Sequence, residues 1–218
     1  MSTRFRSFAL VAALALSACT AFAGNYKYDS VDFFRAINVD NADAVSRMLA
    51  AGLDPNQLDT HGQPALIAAL QAESPKAAKV LMEAKGIDID VHNHAGETPL
   101  MMAALKSQPD IAAALVAHGA SVQKDGWSPL HYAATGGNTD IVKLLLSKGA
   151  NLEARSPNGS TPLMMAARYA NEGAVDALLA AGADRSARND LGMDAAAFAA
   201  SAGRDKLAAR LKPDAAAK

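Results

Sequence analysis

The sequence predicts an all-α solenoid built from repeated helix-turn-helix units. Prolines that can open helices recur at Pro64, Pro99, Pro129 and Pro162, which are separated by 35, 30 and 33 residues. Periods of this size are typical of proteins in which each unit packs against its sequence neighbours. Half of the residues are hydrophobic and only 5% are aromatic, so small and aliphatic side chains can fill the space between closely packed helices.

The unit that begins at Ser128 illustrates why each element forms. Ser128 can cap a helix start, and Pro129 suits the first helical position, where its missing N–H costs nothing. The pair Gly136-Gly137 interrupts this short helix, and a second amphipathic helix ends at Gly149, which suits a left-handed cap. The polar stretch that follows contains an Asn158-Gly159 turn. One unit is therefore predicted to be a helix, a second helix and a projecting, hairpin-like finger.

Six such units fill the chain from residue 30 onward. Asp32 and Ala195 take the proline slot in the first and last units, and in four units a glycine follows the slot by 20 residues. The unit ending at Gly86 has a spacing of 22, which indicates a two-residue insertion near Lys85. The predicted units are residues 30–62, 63–97, 98–127, 128–160, 161–193 and 194–212.

These units resemble ankyrin repeats, and the string SPLHYAATGGNTDIVKLLLSKGANLEA at residues 128–154 carries most of the likeness. The resemblance covers residues 30–211, with the outermost two units as degenerate caps. It implies an ankyrin-repeat solenoid that binds another protein. Leu66, Met101 and Met164 stand where the family usually has the histidine represented here by His131. We expect those three units to lack the helix-start hydrogen bond that the histidine makes.

The first 23 residues have the pattern of an export signal. Arg4 and Arg6 precede an apolar run that is too short to span a bilayer, and Ala21-Phe22-Ala23 fits a cleavage site before Gly24. Cleavage after Ala23 is favoured. The alternative is Cys19, at the end of a lipobox-like sequence, which would be lipidated. Residues 24–29 are predicted to be a linker and residues 213–218 a disordered tail.

This signal predicts a bacterial exported protein in the periplasm, either free or anchored to the membrane as a lipoprotein through Cys19. Cleavage after Ala23 would leave no cysteine, so disulfides and thiolate chemistry are excluded from the mature protein. The net charge would then be −3, which does not favour nucleic acid or an anionic membrane surface. We expect a monomer with no membrane span.

The repeated TPLMMAA strings raise the question of a metal site. Met101-Met102 and Met164-Met165 are adjacent in a helix, about 100° apart, so one pair cannot close on one ion. Filling the core between stacked helices is the favoured interpretation. His92 and His94 share a face of one finger, but no spacing supplies further ligands. Catalysis is not predicted either, since neither a phosphate-binding loop nor a nucleophile with its base is present in the sequence.

The resemblance implies a binding surface on the concave face, where fingers and first helices expose side chains that the stack does not need. Trp127 is the most informative of them, because tryptophan dominates many interfaces. The alternative is that Trp127 covers apolar surface left by a connector shortened by three residues. The predicted contact residues are Trp127, Arg168, Tyr169, His94, Glu97, Lys106, Thr135 and His61, together with Gln63, Leu105 and Asp190.

The predicted function is thus non-catalytic protein binding in the bacterial envelope, with no cofactor. Two other classes remain open. An immunity or inhibitor protein would mask a toxin or hydrolase with tight binding to one partner. A metal-binding envelope protein would use the histidines and methionine pairs.

Overall fold

The computed structural model describes residues 28–213. The predicted export signal, Cys19, most of the linker and all but the first residue of the predicted tail lie outside these residues. Twelve helices in six consecutive pairs make up the described region, which confirms the predicted all-α repeat solenoid. They are α1 (Ser30–Asn38), α2 (Ala42–Ala50), α3 (Ala65–Gln71), α4 (Pro75–Met82), α5 (Pro99–Leu105), α6 (Pro109–Ala117), α7 (Pro129–Gly136), α8 (Thr139–Ser147), α9 (Pro162–Tyr169), α10 (Glu172–Ala180), α11 (Ala195–Ser201) and α12 (Asp205–Leu211).

Most of the helices start where the sequence supplies a side-chain cap, and α3, α4, α6 and α12 start without one from their N-cap residue. The hydroxyl of Thr161 accepts a hydrogen bond from the backbone N–H of Met164, and Pro162 is the first helical residue. Asn138 caps α8 in the same way, through the N–H groups of Asp140 and Ile141. These bonds satisfy donors that no intrahelical carbonyl can reach.

The second unit departs from the predicted register by one residue. Pro64 is the extended residue before α3, with φ −61° and ψ 143°, and Ala65 is the first helical residue. The N–H of Ala65 donates to the carbonyl of Gln57 at 2.9 Å, which holds Pro64 in the finger. Measured from Ala65, Gly86 follows at 21 residues, so the insertion in this unit is one residue and not two. Ile67, and not Leu66, then corresponds to His131.

The helices form two stacked layers. Each first helix packs on the first helix of the next pair, in the order α1, α3, α5, α7, α9 and α11. The second helices α2, α4, α6, α8 and α10 stack likewise behind them, and α12 packs on α11. One continuous apolar core runs between the layers from Phe33 to Leu211. None of the helices within residues 28–213 is long and apolar enough to cross a membrane.

The fingers are tight turns and not β-hairpins. Across residues 28–213, the only strand-like pairing is one isolated antiparallel bridge between Leu58 and Pro64. In the finger of Asn93, the side-chain oxygen accepts the N–H groups of Ala95 and Glu97, both at 3.0 Å. An Asx turn of this kind closes the finger without a strand ladder.

Polar side chains form hydrogen bonds between each finger and the next. The amide of Gln123 donates to the carbonyl of Gly149 and accepts the N–H of Asn151 at 3.2 Å. The equivalent side chains in the other fingers also accept a backbone N–H one repeat further on, at Asp88, Ser121 and Asp184. These acceptors are Asn56, Asp90 and Glu153. The finger row is therefore a hydrogen-bonded ladder, although it contains no regular strand.

Candidate functional site

We call the surface formed by the finger turns and the exposed side chains of the first helices the concave face. It carries side chains of two kinds. Some are tied into the stack and position their neighbours, and others are exposed and make few contacts with the rest of the fold.

His131 belongs to the first kind. Its ring is fully buried, and Nε2 lies 2.9 Å from the carbonyl oxygen of Ser160 in the next finger. A carbonyl only accepts, so Nε2 carries the proton and Nδ1 accepts from the N–H and hydroxyl of Ser128, at 3.2 and 2.9 Å. Burial lowers the pKa of His131, although the Ser160 carbonyl acts in the opposite direction. His131 is thus a neutral structural link between two repeats.

Met101 and Met164 occupy the His131 slot in two other units, and they keep one of its hydrogen bonds. The backbone N–H of Thr98 points to the sulfur of Met101 at 3.4 Å, and that of Thr161 to the sulfur of Met164 at 3.3 Å. The expectation that the units of Met101 and Met164 lack the helix-start bond is therefore wrong, because a thioether sulfur can accept a weak hydrogen bond. Both side chains are buried in the stack, as the core-filling interpretation predicts.

Trp127 packs against the histidine network. Its ring meets that of His131 edge to face, with centroids 5.4 Å apart and an angle of 79° between the planes. The indole is half-buried, so part of it covers the repeat and part reaches solvent. Both roles that the sequence leaves open for Trp127 are thus compatible with its position.

Glu97 holds a corresponding place one repeat earlier. Its Oε1 accepts the hydroxyl of Tyr132 at 2.9 Å, and its Oε2 accepts the side-chain amide of Asn93 at 2.8 Å. Burial raises the pKa of Tyr132, and the nearby Glu97 carboxylate raises it further. The phenol therefore stays protonated and keeps donating to Glu97.

Arg168 and Tyr169 belong to the second kind. They end α9, and the guanidinium carbon of Arg168 lies 5.3 Å from the centre of the Tyr169 ring. The Tyr169 side chain is 55% exposed. The contact of Arg168 with the neighbouring repeat is a long hydrogen bond, 3.5 Å, to the hydroxyl of Ser201. This pair forms an exposed aromatic and cationic surface.

The histidines His61 and His94 lie on the fingers. His94 is exposed and its ring covers Gly62 of the preceding finger, so closely that a side chain at Gly62 would clash with it. His61 is largely exposed, and its Nδ1 lies 3.8 Å from a carboxylate oxygen of Asp59. His94 therefore has a packing role within the finger ladder, and His61 is free to contact solvent.

Lys106 and Thr135 lie at the ends of the first helices. The amine of Lys106 lies 3.6 Å from a carboxylate oxygen of Glu73, across the gap between two repeats. Thr135 uses its hydroxyl inside its own helix, where it donates to the carbonyl of His131 at 2.9 Å. Lys106 thus presents a charge at the surface, whereas the Thr135 hydroxyl is already occupied.

The Ser128–His131 pair is not accessible to a substrate. Ser128 and His131 are at hydrogen-bond distance, as in a nucleophile and its base, but they are only 2% and 0% exposed. A substrate cannot reach them. Within residues 28–213, no three or more His, Cys, Asp or Glu side chains are grouped closely enough to hold a metal ion.

Comparison with known families agrees with this architecture. Residues 33–125, 84–156 and 121–189 each match the family model described as ankyrin repeats in three copies. The chain belongs to the ankyrin-repeat family. Ankyrin repeats are protein–protein interaction modules, and the family is generally non-catalytic.

Several curated ankyrin-repeat proteins are similar to part of the chain. The B-cell lymphoma 3 protein homolog of Mus musculus is 33% identical over 125 residues, which cover 54% of this chain and 28% of that protein. Neurogenic locus notch homolog protein 2 of Homo sapiens is 35% identical over 119 residues, covering 53% of this chain and 5% of the relative. The putative palmitoyltransferase ZDHHC13 of Danio rerio is 35% identical over 129 residues, covering 57% and 20%. The chain thus matches only a small part of the length of each relative.

Tyr132 and Asn93 are not among the residues that the sequence predicts for the concave face. The geometry makes them partners of Glu97, which was predicted. A usable pattern exists in the sequence, since Tyr132 takes a slot filled by methionine in two neighbouring repeats, Met102 and Met165. A single polar aromatic residue in an otherwise apolar slot indicates a hydrogen-bond partner at its outer end.

Proposed function

We propose that this ankyrin-repeat protein is exported to the bacterial envelope and there binds another protein through its concave face. The export step rests on the pattern of the first 23 residues, with Arg4 and Arg6 before a short apolar run. Cleavage after Ala23 releases the protein into the periplasm, whereas lipidation of Cys19 would tether the same repeats to a membrane.

The observation that carries the binding role is the exposed pair Arg168 and Tyr169. The rest of the stack does not require either side chain, because the corresponding positions in the preceding repeat are Thr135 and Gly136. Arginine and tyrosine are enriched at the centres of protein interfaces. The cation lies over the ring, so the pair is ordered before a partner arrives, and less side-chain entropy is lost on binding.

The test is crosslinking in the native host followed by mass spectrometry of the captured proteins. Tyr169→Ala and Trp127→Ala are compared with Lys143→Ala, an exposed substitution on α8, which lies in the layer behind the first helices. We expect the two concave-face variants to lose most of the recovered partner and the control to retain it. Equal recovery from all three variants would place the binding surface elsewhere.

The same experiment reads the chemical state of the N-terminus. A mature chain beginning at Gly24 supports periplasmic release, and a lipid-modified Cys19 supports tethering. An unprocessed Met1 would contradict the export proposal while leaving the binding proposal intact. The affinity for the recovered protein then separates a scaffold from an inhibitor of a toxin or hydrolase, because an inhibitor needs nanomolar binding to one partner.

A further inference from the structure

The Glu97 carboxylate differs from the other acidic groups of the concave face. It is half-buried, and each of its oxygens accepts one hydrogen bond from a neutral donor, the hydroxyl of Tyr132 or the amide of Asn93. Two bonds use half of the acceptor capacity of a carboxylate. The charge is therefore held in place, with acceptor positions still available.

None of the described lysine, arginine or histidine side chains forms an ion pair with this carboxylate. Within residues 28–213, no Lys, Arg or His nitrogen lies within 4.0 Å of Glu97. Two other acidic residues of the same face do have cationic neighbours: Asp32 lies 2.9 Å from Arg35, and Asp194 lies 3.3 Å from Arg188. An arriving cation could donate to the acceptor positions of Glu97 that its two hydrogen bonds leave free.

The stack itself does not require an acidic residue at this position. The same slot holds Gln63, Trp127, Ser160 and Met193 in the other repeats. The finger turns that end at Gln63, Ser160 and Met193 close through backbone hydrogen bonds without a carboxylate there. Tyr132 adds a second acceptor, since the phenol oxygen that donates to Glu97 also has free lone pairs. The two side chains together present a negative charge and an aromatic group, which is suitable chemistry for an ammonium or guanidinium.

We propose that Glu97 and Tyr132 form a recognition site for a lysine or arginine side chain of the partner protein. This inference rests on the proposed function for its biological occupant. The cation would lie in the middle of the concave face and donate a charge-assisted hydrogen bond to the Glu97 carboxylate. Trp127, in the same slot one repeat further on, would contact the neighbouring part of the partner chain.

The test uses small probes that need no knowledge of the partner. Nα-acetyl-lysine methylamide and its norleucine analogue differ only by the terminal ammonium group. Each is titrated into the isotope-labelled chain while the backbone amide of Glu97 and the ring signals of Tyr132 are followed by NMR. We expect saturable shifts at these signals with the lysine probe, and no saturable shifts with the norleucine probe.

The decisive variant is Glu97→Gln, which keeps the size of the side chain and its ability to accept the Tyr132 hydroxyl. We expect it to weaken lysine-probe binding about tenfold, the effect of losing one charge-assisted contact. Asp110→Asn, at the exposed start of α6, is the matched control and should change nothing. Equal shifts with both probes, or unchanged binding by Glu97→Gln in a folded protein, would overturn the proposal.

A second arm separates this inference from the proposed function. If the wild-type chain captures no partner in the envelope, the proposed function fails, and the probe titration still decides whether Glu97 binds cations. If a partner is captured, Glu97→Gln should reduce its recovery and Asp110→Asn should not. Full recovery with Glu97→Gln would show that the partner does not place its cation there.

Discussion

Replacing His131 by methionine tests how this solenoid joins its repeats, because methionine is the residue that two other units use in the same slot. The variant keeps a weak acceptor for the Ser128 N–H, as Met101 does for Thr98. It removes the donor to the Ser160 carbonyl, a bond of 2.9 Å in a fully buried site.

The expected loss of stability is moderate. The Ser160 carbonyl still accepts the N–H of Ser156 at 3.0 Å, so the substitution leaves no orphaned acceptor, and the missing hydrogen bond costs about 1 kcal/mol. The edge-to-face contact with Trp127 is also lost, which adds about 0.5–1 kcal/mol. We therefore expect His131→Met to lower the free energy of unfolding by about 1.5–2 kcal/mol at pH 7.5.

The pH dependence makes the test specific. Because burial lowers the pKa of His131 below its ordinary 6.5, the unfolded chain binds a proton near pH 6.5 that the folded chain does not. The neutral, buried His131 therefore contributes stability that is complete above pH 6.5. That stability is lost as the pH falls from 6.5 toward the lowered pKa of the folded state. Between pH 7.5 and 5.5 the wild type should lose up to about 1.4 kcal/mol that His131→Met does not lose.

The assay is urea unfolding followed by circular dichroism at 222 nm, at pH 7.5 and 5.5. The exposed His118→Gln is the control, and its unfolding curves should match those of the wild type at both pH values. The deficit of His131→Met should shrink or vanish at pH 5.5. If the variant keeps the full pH dependence of the wild type, the buried neutral histidine is not its source, and the reasoning is refuted.

Three substitutions, two of them compared with a control variant, test the packing by thermal unfolding. Gly136→Ala would place its Cβ 2.6 Å from a backbone oxygen of α5, so we expect it to lower the free energy of unfolding by about 2 kcal/mol or more. Gly149→Ala should lower it less, because the space around Gly149 is free and only its φ of 82° is unfavourable for alanine. Glu73→Gly should raise the free energy of unfolding by about 0.5–1 kcal/mol, because φ at this position is 54° and glycine adopts it without strain. Asp40→Gly, at a φ of 52°, should instead lower it, since the Asp40 carboxylate caps α4. Gln123→Ala should lose about 1–2 kcal/mol with the two bonds that join its finger to the next, and no loss would contradict the ladder.

The fold could be predicted because its information is local and repeated. Thr161 and Pro162 define a helix start through the chemistry of a hydroxyl cap and a missing N–H, and Gly149 defines a helix end through its positive φ of 82°. The one-residue error at Pro64 has a different origin. A proline fits both the last finger residue and the first helical residue, and the bond from Ala65 to Gln57, eight positions away, decides between them.

The candidate surface was harder to predict than the fold. Arg168, Tyr169 and Trp127 stand out in the sequence because the repeat does not require them, and their function remains a prediction. The partnership of Glu97 with Tyr132 joins residues 35 positions apart, and it depends on where two neighbouring repeats place their side chains. The residue pattern of a single repeat does not predict a contact between side chains of two different repeats.

The sequence by itself determined the all-α class, the number of helix pairs and the residues that start and end most of the helices. These features depend on caps, glycines and apolar spacing within one unit, and the same signals recur in each unit. The tertiary structure decided which polar groups meet between units: the sulfur of Met101 against a backbone N–H, His131 against the next finger, and Glu97 against a phenol. The physical reason is that hydrogen bonds depend on tenths of an ångström between neighbouring repeats, whereas the helices need only the right residue type at the right spacing.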